Sequence, residues 1–299
     1  MSRATSRRGI SRGIPLQAIL YATLSAILFG AALVTTHSGL KYLDTATGAR
    51  VSIPTATLLF WLLAPFVDMG GWQAAAFGIF VLVGLFFPAA VTLFTFEANR
   101  RLGPTVTATV GSTAPLFAVL GAALFLDEAL GLRELAATSL IVLGSMALSK
   151  PGGADKVEQR RGALWLPWSA AALRALAQIL SKAGLALWPN PFAAALVGYT
   201  VSSAAVWTAA LGRGTRPEFN RHGAFWFAVT GILNGVAVLC MYRALNSGAV
   251  VLVSPIVATY PLFTLMLSAL VLREERMSGM LITGVALTVA GVIVLLVQW

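Results

Sequence analysis

About ten apolar stretches divide the sequence, each about as long as a lipid bilayer is thick. They lie near residues 14–36, 48–67, 73–97, 104–126, 133–149, 164–187, 191–211, 222–245, 249–272 and 277–298. A helix needs roughly 20 mostly apolar residues to cross the hydrocarbon core. Only 11% of the residues are charged, against ~25% in soluble domains, so the chain has too little charge to cover a water-facing surface. We therefore predict an all-α integral membrane protein with ten transmembrane helices.

The basic residues of the chain are scattered between these apolar stretches. The net charge is +10, but no polar domain gathers it, so the pattern is typical of membrane-flanking charge and not of nucleic-acid binding. Cys240 is the single cysteine, which excludes an internal disulfide. We expect no metal, no cofactor and no nucleic-acid partner. The expected partners are the lipid bilayer and a small-molecule substrate. The sequence does not specify the oligomeric state, and it is compatible with a monomer.

Two segments of the chain repeat one another. Residues 96–128 align without a gap onto residues 242–274 at an offset of 146. The identical pairs include Ala98/Ala244, Thr113/Thr259, Pro115/Pro261, Leu116/Leu262, Phe117/Phe263, Leu124/Leu270 and Glu128/Glu274. A second echo links His37–Leu40 with Lys182–Leu185 at an offset of 145. Chance matching of apolar residues explains the Leu and Ala pairs, but it explains a shared Pro-Leu-Phe and a glutamate at the same spacing much less well.

Duplication divides the chain into two halves. We predict a basic N-terminal tail at 1–13, a first five-helix repeat at 14–149, a polar connecting loop at 150–163 and a second five-helix repeat at 164–299. Four arginines precede the first stretch without a small-residue cleavage site, so we expect that stretch to be retained as a span. Five is an odd number, so the second half enters the membrane from the opposite side. Inverted repeats of this kind are typical of secondary transporters, whose substrate site lies at the repeat interface near a central cavity.

The arrangement resembles the drug/metabolite transporter superfamily, and within it the EamA-type exporters. The resemblance depends on the two halves, on the Pro…Glu segments, and on the Gly-punctuated last helices Leu140–Leu148 and Leu287–Leu296. It implies a ten-helix bundle around a central cavity in a bacterial inner membrane. The implied activity is export of amino acids or other small metabolites. Among the members of this family, the sequence resembles the YddG-type exporters, which transport aromatic and other neutral amino acids.

Prolines interrupt the spans at matching positions. Pro115 and Pro261 fall in the fourth and ninth stretches, Pro255 precedes Pro261, and Pro88 interrupts the third. A proline inside a helix removes a backbone hydrogen bond and bends the helix. Paired interruptions in the two halves point to a transport site, so we predict kinks that serve gating. The alternative, which a single proline does not exclude, is that the kinks only shape packing.

Polar residues within the spans are the second pointer to a site. Arg174 lies about ten residues into the sixth stretch, and Gln178 and Lys182 follow at steps of four, on one helical face. Since a charge at mid-membrane is costly and guanidinium pairs bidentately with carboxylates, we predict that Arg174 and Gln178 bind a carboxylate-bearing substrate. The alternatives are an arginine bonded to backbone carbonyls of a kinked neighbouring helix, or one whose side chain extends along its own helix toward the membrane surface. Asn234, midway along the eighth stretch, is a further cavity candidate.

The remaining candidates are aromatic or lie near span ends. Phe94, Tyr260 and Thr113 are predicted to line the cavity, although aromatic residues on apolar spans commonly serve packing. Glu97 and Arg243 occupy matched positions in the third and eighth stretches. Inversion places them on opposite sides of the membrane, so each is predicted to hold a local gate or loop and not to pair with the other.

The sequence lacks the motifs of the main rival functions. It contains no Walker-type Gly-Lys-Ser/Thr loop, no His-Glu-x-x-His and no Gly-x-Ser-x-Gly. We therefore predict a non-enzymatic, non-ATP transporter that works by alternating access, as a facilitator that needs no coupling residue. Two alternatives stay open: a proton-coupled cation or drug exporter, disfavoured because the first and sixth stretches carry no Asp or Glu, and an integral enzyme acting on a lipid-linked substrate.

The orientation in the membrane stays open at this level. The family resemblance implies that both termini lie in the cytoplasm. The loops on the side of the termini carry five Lys and Arg residues, and the loops on the other side carry twelve. The positive-inside rule therefore favours termini outside the cytoplasm. The larger set is Lys41, Arg100, Arg101, Lys150, Lys156, Arg160, Arg161, Arg213, Arg216, Arg221, Arg273 and Arg276.

Overall fold

The described part of the chain is built from α-helices. The computed structural model describes residues 16–102, 110–148, 161–211, 220–272 and 279–297, and all statements below concern these ranges. They contain twelve α-helices: α1 (Leu16–Gly39), α2 (Thr45–Leu63), α3 (Ala74–Phe86), α4 (Ala89–Leu102), α5 (Ala114–Phe125), α6 (Leu132–Leu148), α7 (Trp165–Leu187), α8 (Pro191–Leu211), α9 (Arg221–Ser247), α10 (Val250–Val257), α11 (Tyr260–Leu272) and α12 (Gly279–Leu296). Two short 3₁₀ turns, Ala64–Phe66 and Arg161–Ala163, complete the secondary structure of these ranges.

Eight helical stretches in the described ranges are long and apolar enough to cross a membrane: Leu16–Gly39, Thr45–Phe66, Ala74–Thr95, Trp165–Leu187, Pro191–Ala209, Arg221–Ser247, Val250–Ser268 and Gly279–Leu296. Each coincides with one of the ten predicted stretches. The predicted span at 104–126 is represented by α5, because residues 103–109 lie outside the described ranges. The predicted span at 133–149 is represented by α6, which has 17 residues. The all-helical membrane architecture is confirmed, and the full number of ten spans remains a prediction.

The interrupted spans are broken helices, and the breaks match between the halves. The helix stops for two residues at Ser112–Thr113 and again at Ala258–Thr259, an offset of 146. At each break the threonine Oγ1 donates to the carbonyl three residues earlier, at 2.6 Å and 2.7 Å respectively. Pro115 and Pro261 follow at once, in the first turn of the next helix, where a proline costs no hydrogen bond. The prolines therefore begin a new helical segment and do not kink a continuous one.

The third span is broken differently. Between α3 and α4 the chain passes through Phe87 and Pro88, and a serine from α8 occupies the gap. Ser202 Oγ donates to the Gly84 carbonyl at 2.6 Å and accepts from Ala89 N at 3.3 Å. A broken helix in an apolar environment leaves backbone groups without partners, so this buried hydroxyl stabilises the break.

The helices pack in a pattern that pairs the two halves. α1, which begins the first half, packs most extensively against α9, and α7, which begins the second, packs against α3 and α4. Likewise α2 packs against α9, and α8 packs against α3. α9 corresponds in the second half to the broken α3–α4 span of the first. The packing of α1 on α9 is therefore equivalent to that of α7 on α3 and α4, and the packing of α2 on α9 is equivalent to that of α8 on α3. The bundle is therefore assembled from interdigitated halves and not from two separate five-helix domains.

The last helices of the two halves, α6 and α12, pack by reciprocal contacts. A Cβ atom added to Gly144 would lie 2.8 Å from the Gly284 carbonyl oxygen, and one added to Gly291 would lie 2.9 Å from the Ala137 carbonyl oxygen. Gly144 corresponds to Gly291 and Ala137 corresponds to Gly284 at an offset of 147, so the two contacts are equivalent in the two halves. Residue numbers rise along α6 as they fall along α12, so the two helices are antiparallel. A two-fold axis that relates antiparallel helices lies perpendicular to them.

Candidate functional site

Arg174 lies on the inward face of α7. The residues three and four positions away share its face of the helix, and all four are buried: Ala170, Ala171, Ala177 and Gln178. Trp168 and Leu176, on the opposite face, are exposed as lipid-facing side chains should be. Arg174 is nevertheless only half-buried, and no hydrogen-bond or ion-pair partner is found for it among the described residues. Arg174 is therefore accessible although the residues beside it on the same helical face are buried.

Asn234 on α9 shows the same combination. Its four same-face neighbours, Thr230, Gly231, Ala237 and Val238, are all buried, whereas Asn234 itself is half-buried. Its amide has no hydrogen-bond partner within the described ranges. Two polar side chains on different helices thus face accessible space from the packed side of their helices.

Three buried side chains, two on α7 and one on α10, hold polar atoms without a hydrogen-bond partner in the described ranges. Gln178, Ser181 and Ser254 are 4%, 0% and 1% exposed. Gln178 Oε1, Ser181 Oγ and Ser254 Oγ form no hydrogen bond in the described part of the chain. Tyr242 from α9 lies beside Ser181 without completing a hydrogen bond to its hydroxyl. Unpaired buried polar atoms are rare in proteins and call for a specific reason.

Lys182 joins α7 to the end of α9. Its Nζ donates to the Leu245 carbonyl at 2.6 Å and to the Gly248 carbonyl at 2.7 Å. These carbonyls belong to the C-terminal end of α9, where backbone acceptors lack helical partners and a cation is favoured. The polar row that the sequence predicts on α7 therefore divides: Lys182 serves the backbone, while Arg174 remains without a partner in the described ranges.

Glu128 completes this junction from the first half of the chain. Its two carboxylate oxygens accept from Val250 N at 2.9 Å and Val251 N at 3.0 Å, at the start of α10. An anion is favoured at a helix N-terminus, and Glu128 also interacts electrostatically with Lys182. We call these residues, with the α9–α10 turn that they hold, the Lys182–Glu128 junction.

The depth of each group follows from helix geometry. Gln178 lies one turn, about 6 Å, deeper along α7 than Lys182, and Arg174 lies one turn deeper again. Ser254 is about one turn into α10 from the residues that Glu128 holds. From Lys182, α7 thus leads first to Gln178 and then to Arg174, whereas Ser181 lies next to Lys182 at the same end of the helix.

The other predicted site residues have definite places. Thr113 forms part of the Ser112–Thr113 break, and Pro255 lies inside α10. Phe94 packs edge-on against Trp165 at 5.6 Å between ring centroids, and Tyr260 is the half-buried first residue of α11. Phe94 therefore contributes to packing between α4 and α7.

The matched charges Glu97 and Arg243 make separate contacts. Glu97 pairs with Arg101 one turn along α4. Arg243 donates to the Tyr21 hydroxyl at 3.1 Å and lies over the Tyr21 ring, 5.5 Å from its centroid. The Glu97–Arg101 pair thus lies within α4, whereas Arg243 links α9 to α1.

Sequence reasoning did not single out Ser181 and Ser254 and gave no role to the carboxylate of Glu128. The available signals were weak: Ser181 lies beside Lys182 and three residues after Gln178, and Ser254 directly precedes Pro255 in an otherwise apolar run. Isolated hydroxyls in apolar spans commonly bond their own backbone. Only the packed structure shows that these two do not.

Taken together, a helical bundle with two repeats, helices apolar enough to cross a membrane, and inward-facing polar residues define a membrane-embedded transport protein. Residues 16–150 and 160–297 each match the profile of the EamA-like transporter family. The chain belongs to that family, whose members are transporters and not enzymes, and it is a multi-pass membrane transporter of small molecules.

A solved structure described as "Crystal structure of protein" is similar to this chain in fold. It has a TM-score of 0.76 and 18% sequence identity, over 93% of this chain and 95% of its own. At this identity the likeness shows the fold alone. A search of the curated proteins gives no match.

Proposed function

We propose that this protein is a secondary transporter that exports small carboxylate-bearing metabolites, most specifically neutral and aromatic amino acids. The observation that carries the proposal is Arg174, inward-facing, accessible and without a protein partner in the described ranges. A guanidinium in such a place is a preformed partner for a carboxylate, since it presents parallel N–H donors in a fixed plane. Asn234 and Gln178 add neutral hydrogen-bonding groups to the same interior.

Alternating access between inverted repeats is the proposed mechanism. The reciprocal antiparallel contacts of α6 and α12 support a two-fold axis perpendicular to the helices, which for membrane-crossing helices lies in the membrane plane. The matched helix breaks supply hinges at equivalent places in the two halves. Ten spans, in a bacterial inner membrane, are the topology that this proposal and the family resemblance share.

Transport is proposed to follow the gradient of the substrate itself. A facilitator requires no titrating or ion-binding group, and the interior groups described above are neutral apart from Arg174 and the Lys182–Glu128 pair, whose two charges interact with each other. An imposed proton gradient is therefore expected to leave uptake of a zwitterionic amino acid into proteoliposomes unchanged. Strict dependence on that gradient would instead favour the proton-coupled alternative.

The test of the proposed function is counterflow of radiolabelled neutral and aromatic amino acids, L-phenylalanine among them, through purified protein in liposomes. Arg174→Ala is expected to lower counterflow at least tenfold, because hydrogen bonds to a charged group contribute about 1.5–3 kcal/mol. Arg133, which donates to the Val294 and Leu295 carbonyls, offers a matched control: Arg133→Ala also removes an arginine that lies outside the proposed interior. Equal counterflow in wild type and Arg174→Ala would refute the role of Arg174.

A further inference from the structure

The Lys182–Glu128 junction connects the two halves of the chain at one end of the bundle. Glu128 follows α5 in the first half, whereas Lys182 and the α9–α10 turn belong to the second. Lys182 binds two carbonyls at the end of α9, and Glu128 binds two amides at the start of α10, at distances between 2.6 Å and 3.0 Å. Each of these four hydrogen bonds has one charged partner, and such bonds are stronger than neutral ones. The junction therefore fixes α7 and the chain after α5 to the α9–α10 turn.

The junction lies at an interface that differs between the two halves. α7 packs against α9, and Tyr242 of α9 lies beside Ser181 of α7. Exchange of the halves converts this pair into α1 and the α3–α4 span. Among the described residues, however, no comparable packing of α1 against α3 or α4 is found. The structure thus departs from two-fold symmetry at the interface that the junction spans.

The residue equivalent to Lys182 makes no equivalent contact. His37 takes the place of Lys182 at the offset of 145, and the end of α4 takes that of the end of α9 at an offset of 146. His37 is exposed, and no hydrogen bond is found for it within the described ranges. In alternating access, inverted halves exchange their conformations, so a contact made at one end in one state has its counterpart at the other end in the other state. One interface packed and its equivalent unpacked is the arrangement that a single state of this cycle requires.

We propose that the Lys182–Glu128 junction is a gate. It closes its end of the bundle in this conformation, and its release lets α7 separate from α9 while α1 packs against α4 at the other end. This inference rests on the proposed function and adds the contact that governs the exchange between the two states. Lys182 and Glu128 are thus gating residues, which act without touching the substrate.

The first test needs no substrate. A single cysteine, Ser181→Cys in a Cys240→Ser background, reports on the α7–α9 interface, because Ser181 is buried and its hydroxyl has no partner to lose. Its rate of reaction with a thiol reagent is measured in protein purified into lipid nanodiscs. Lys182→Met is expected to raise this rate about tenfold, the factor that a hydrogen bond to a charged group represents. Glu128→Gln should raise it in the same direction and serves as the second variant should Lys182→Met not fold.

Ser25→Cys is the control reporter for this test. Ser25 is buried where α1 meets the Ala237 carbonyl of α9, in a packing relation that both halves share. A gate that opens should leave the rate at Ser25→Cys unchanged. An unchanged rate at Ser181→Cys in both variants, or an equal rise at Ser25→Cys, would show that the junction is only a structural brace and would overturn the gate.

The second test locks the gate. In Lys182→Cys/Ala249→Cys, a reducible bifunctional thiol reagent replaces the contact between the lysine and the α9–α10 turn by a covalent link. We expect L-phenylalanine counterflow to fall at least about tenfold on cross-linking and to return on reduction, whereas a brace would let the cross-linked protein transport normally. Arg133→Cys/Val294→Cys is the matched control, because Arg133 also binds backbone carbonyls but joins α6 to α12, which pack equivalently in both halves. Absence of counterflow in the wild type would overturn the proposed function, and the first test would still decide whether the junction opens.

Discussion

At the scale of single residues, several charged side chains of the described ranges form hydrogen bonds with backbone groups at helix ends. Lys182 and Arg133 donate to carbonyls at the ends of α9 and α12, and Glu128 accepts from amides at the start of α10. Backbone groups at helix ends lack partners, and in an apolar environment each unpaired group is costly. Against that background Arg174 is distinctive, because the described residues offer it no such carbonyl.

The first prediction at this scale concerns Lys182→Met. The change leaves the Leu245 and Gly248 carbonyls and the Glu128 carboxylate without their cation, so we expect a loss of about 1–3 kcal/mol in the free energy of unfolding. Thermal unfolding in detergent measures it. In the double variant Lys182→Met/Glu128→Gln, the loss in the free energy of unfolding should be smaller than the sum of the losses in the two single variants, because removing both partners leaves no unpaired charge. Strictly additive effects would show that the two side chains act independently.

At the scale of helices, the two halves use equivalent devices with different residues. Asp44 caps α2, where Oδ1 accepts from Ala46 N at 2.8 Å and Thr47 N at 2.9 Å. Asn190 caps α8 at the position offset by 146, accepting from Ala193 N at 3.0 Å. The capping geometry is repeated, but only the first cap carries a charge.

This difference predicts a pH dependence. Partial burial acts to raise the pKa of Asp44, but hydrogen bonds from Thr47 and Ala46 and the charge of Arg50 outweigh it, so the pKa lies below its ordinary value. A carboxyl group whose pKa is lower in the folded state stabilises the folded protein. This contribution is complete at pH values above the pKa of the unfolded state, about 3.9, and it is lost as the pH falls through the pKa of the folded state.

Asp44→Asn keeps an acceptor at the cap, as Asn190 does in the second half, and removes the titration. We expect wild type to exceed Asp44→Asn in thermal stability by a larger margin at pH 7 than near pH 3, where the carboxyl of the wild type becomes protonated. Unfolding curves recorded in detergent across this range measure the margin. A margin that stays constant with pH would contradict the assignment.

At the scale of the whole molecule, inversion of the halves is the feature with the clearest test. Lys41 in the α1–α2 connection and Pro189 in the α7–α8 connection occupy nearly equivalent positions in the two halves, and both are exposed. If the halves are inverted, single cysteines at these two positions, in a Cys240→Ser background, react with a membrane-impermeant thiol reagent from opposite sides. Labelling of intact and permeabilised cells measures the side.

Gly70→Cys is the matched control for this experiment. The Gly70 carbonyl accepts from Trp188 Nε1 at 2.8 Å, so position 70 lies at the same end of the bundle as Pro189 and is expected to share its sidedness. Reaction of Lys41→Cys and Pro189→Cys from one side would exclude inverted repeats. The same data would decide which side holds the termini, where the loop charges and the family resemblance disagree.

Much of the architecture was predictable from the sequence because a lipid environment leaves few choices. Apolar stretches of spanning length with little charge have to be helices, since every backbone group needs a partner within its own segment. The offset of 146 between Pro115 and Pro261 predicted equivalent interruptions, and Arg174 drew attention as a charge deep in an apolar stretch. These are properties of composition, period and spacing, which a sequence displays directly.

Only the tertiary structure decided which polar groups have partners. Lys182 and Arg174 lie on the same face of α7, yet Lys182 reaches the end of α9 while Arg174 faces accessible space. Ser25 and Ser181 are both buried serines, yet only Ser25 meets a carbonyl. Whether a polar atom is satisfied depends on which helix packs beside it and at what depth, and helix periodicity alone does not specify this. The sequence therefore determined that the protein is a two-repeat helical membrane protein, and the packing determined which of the described polar residues have partners.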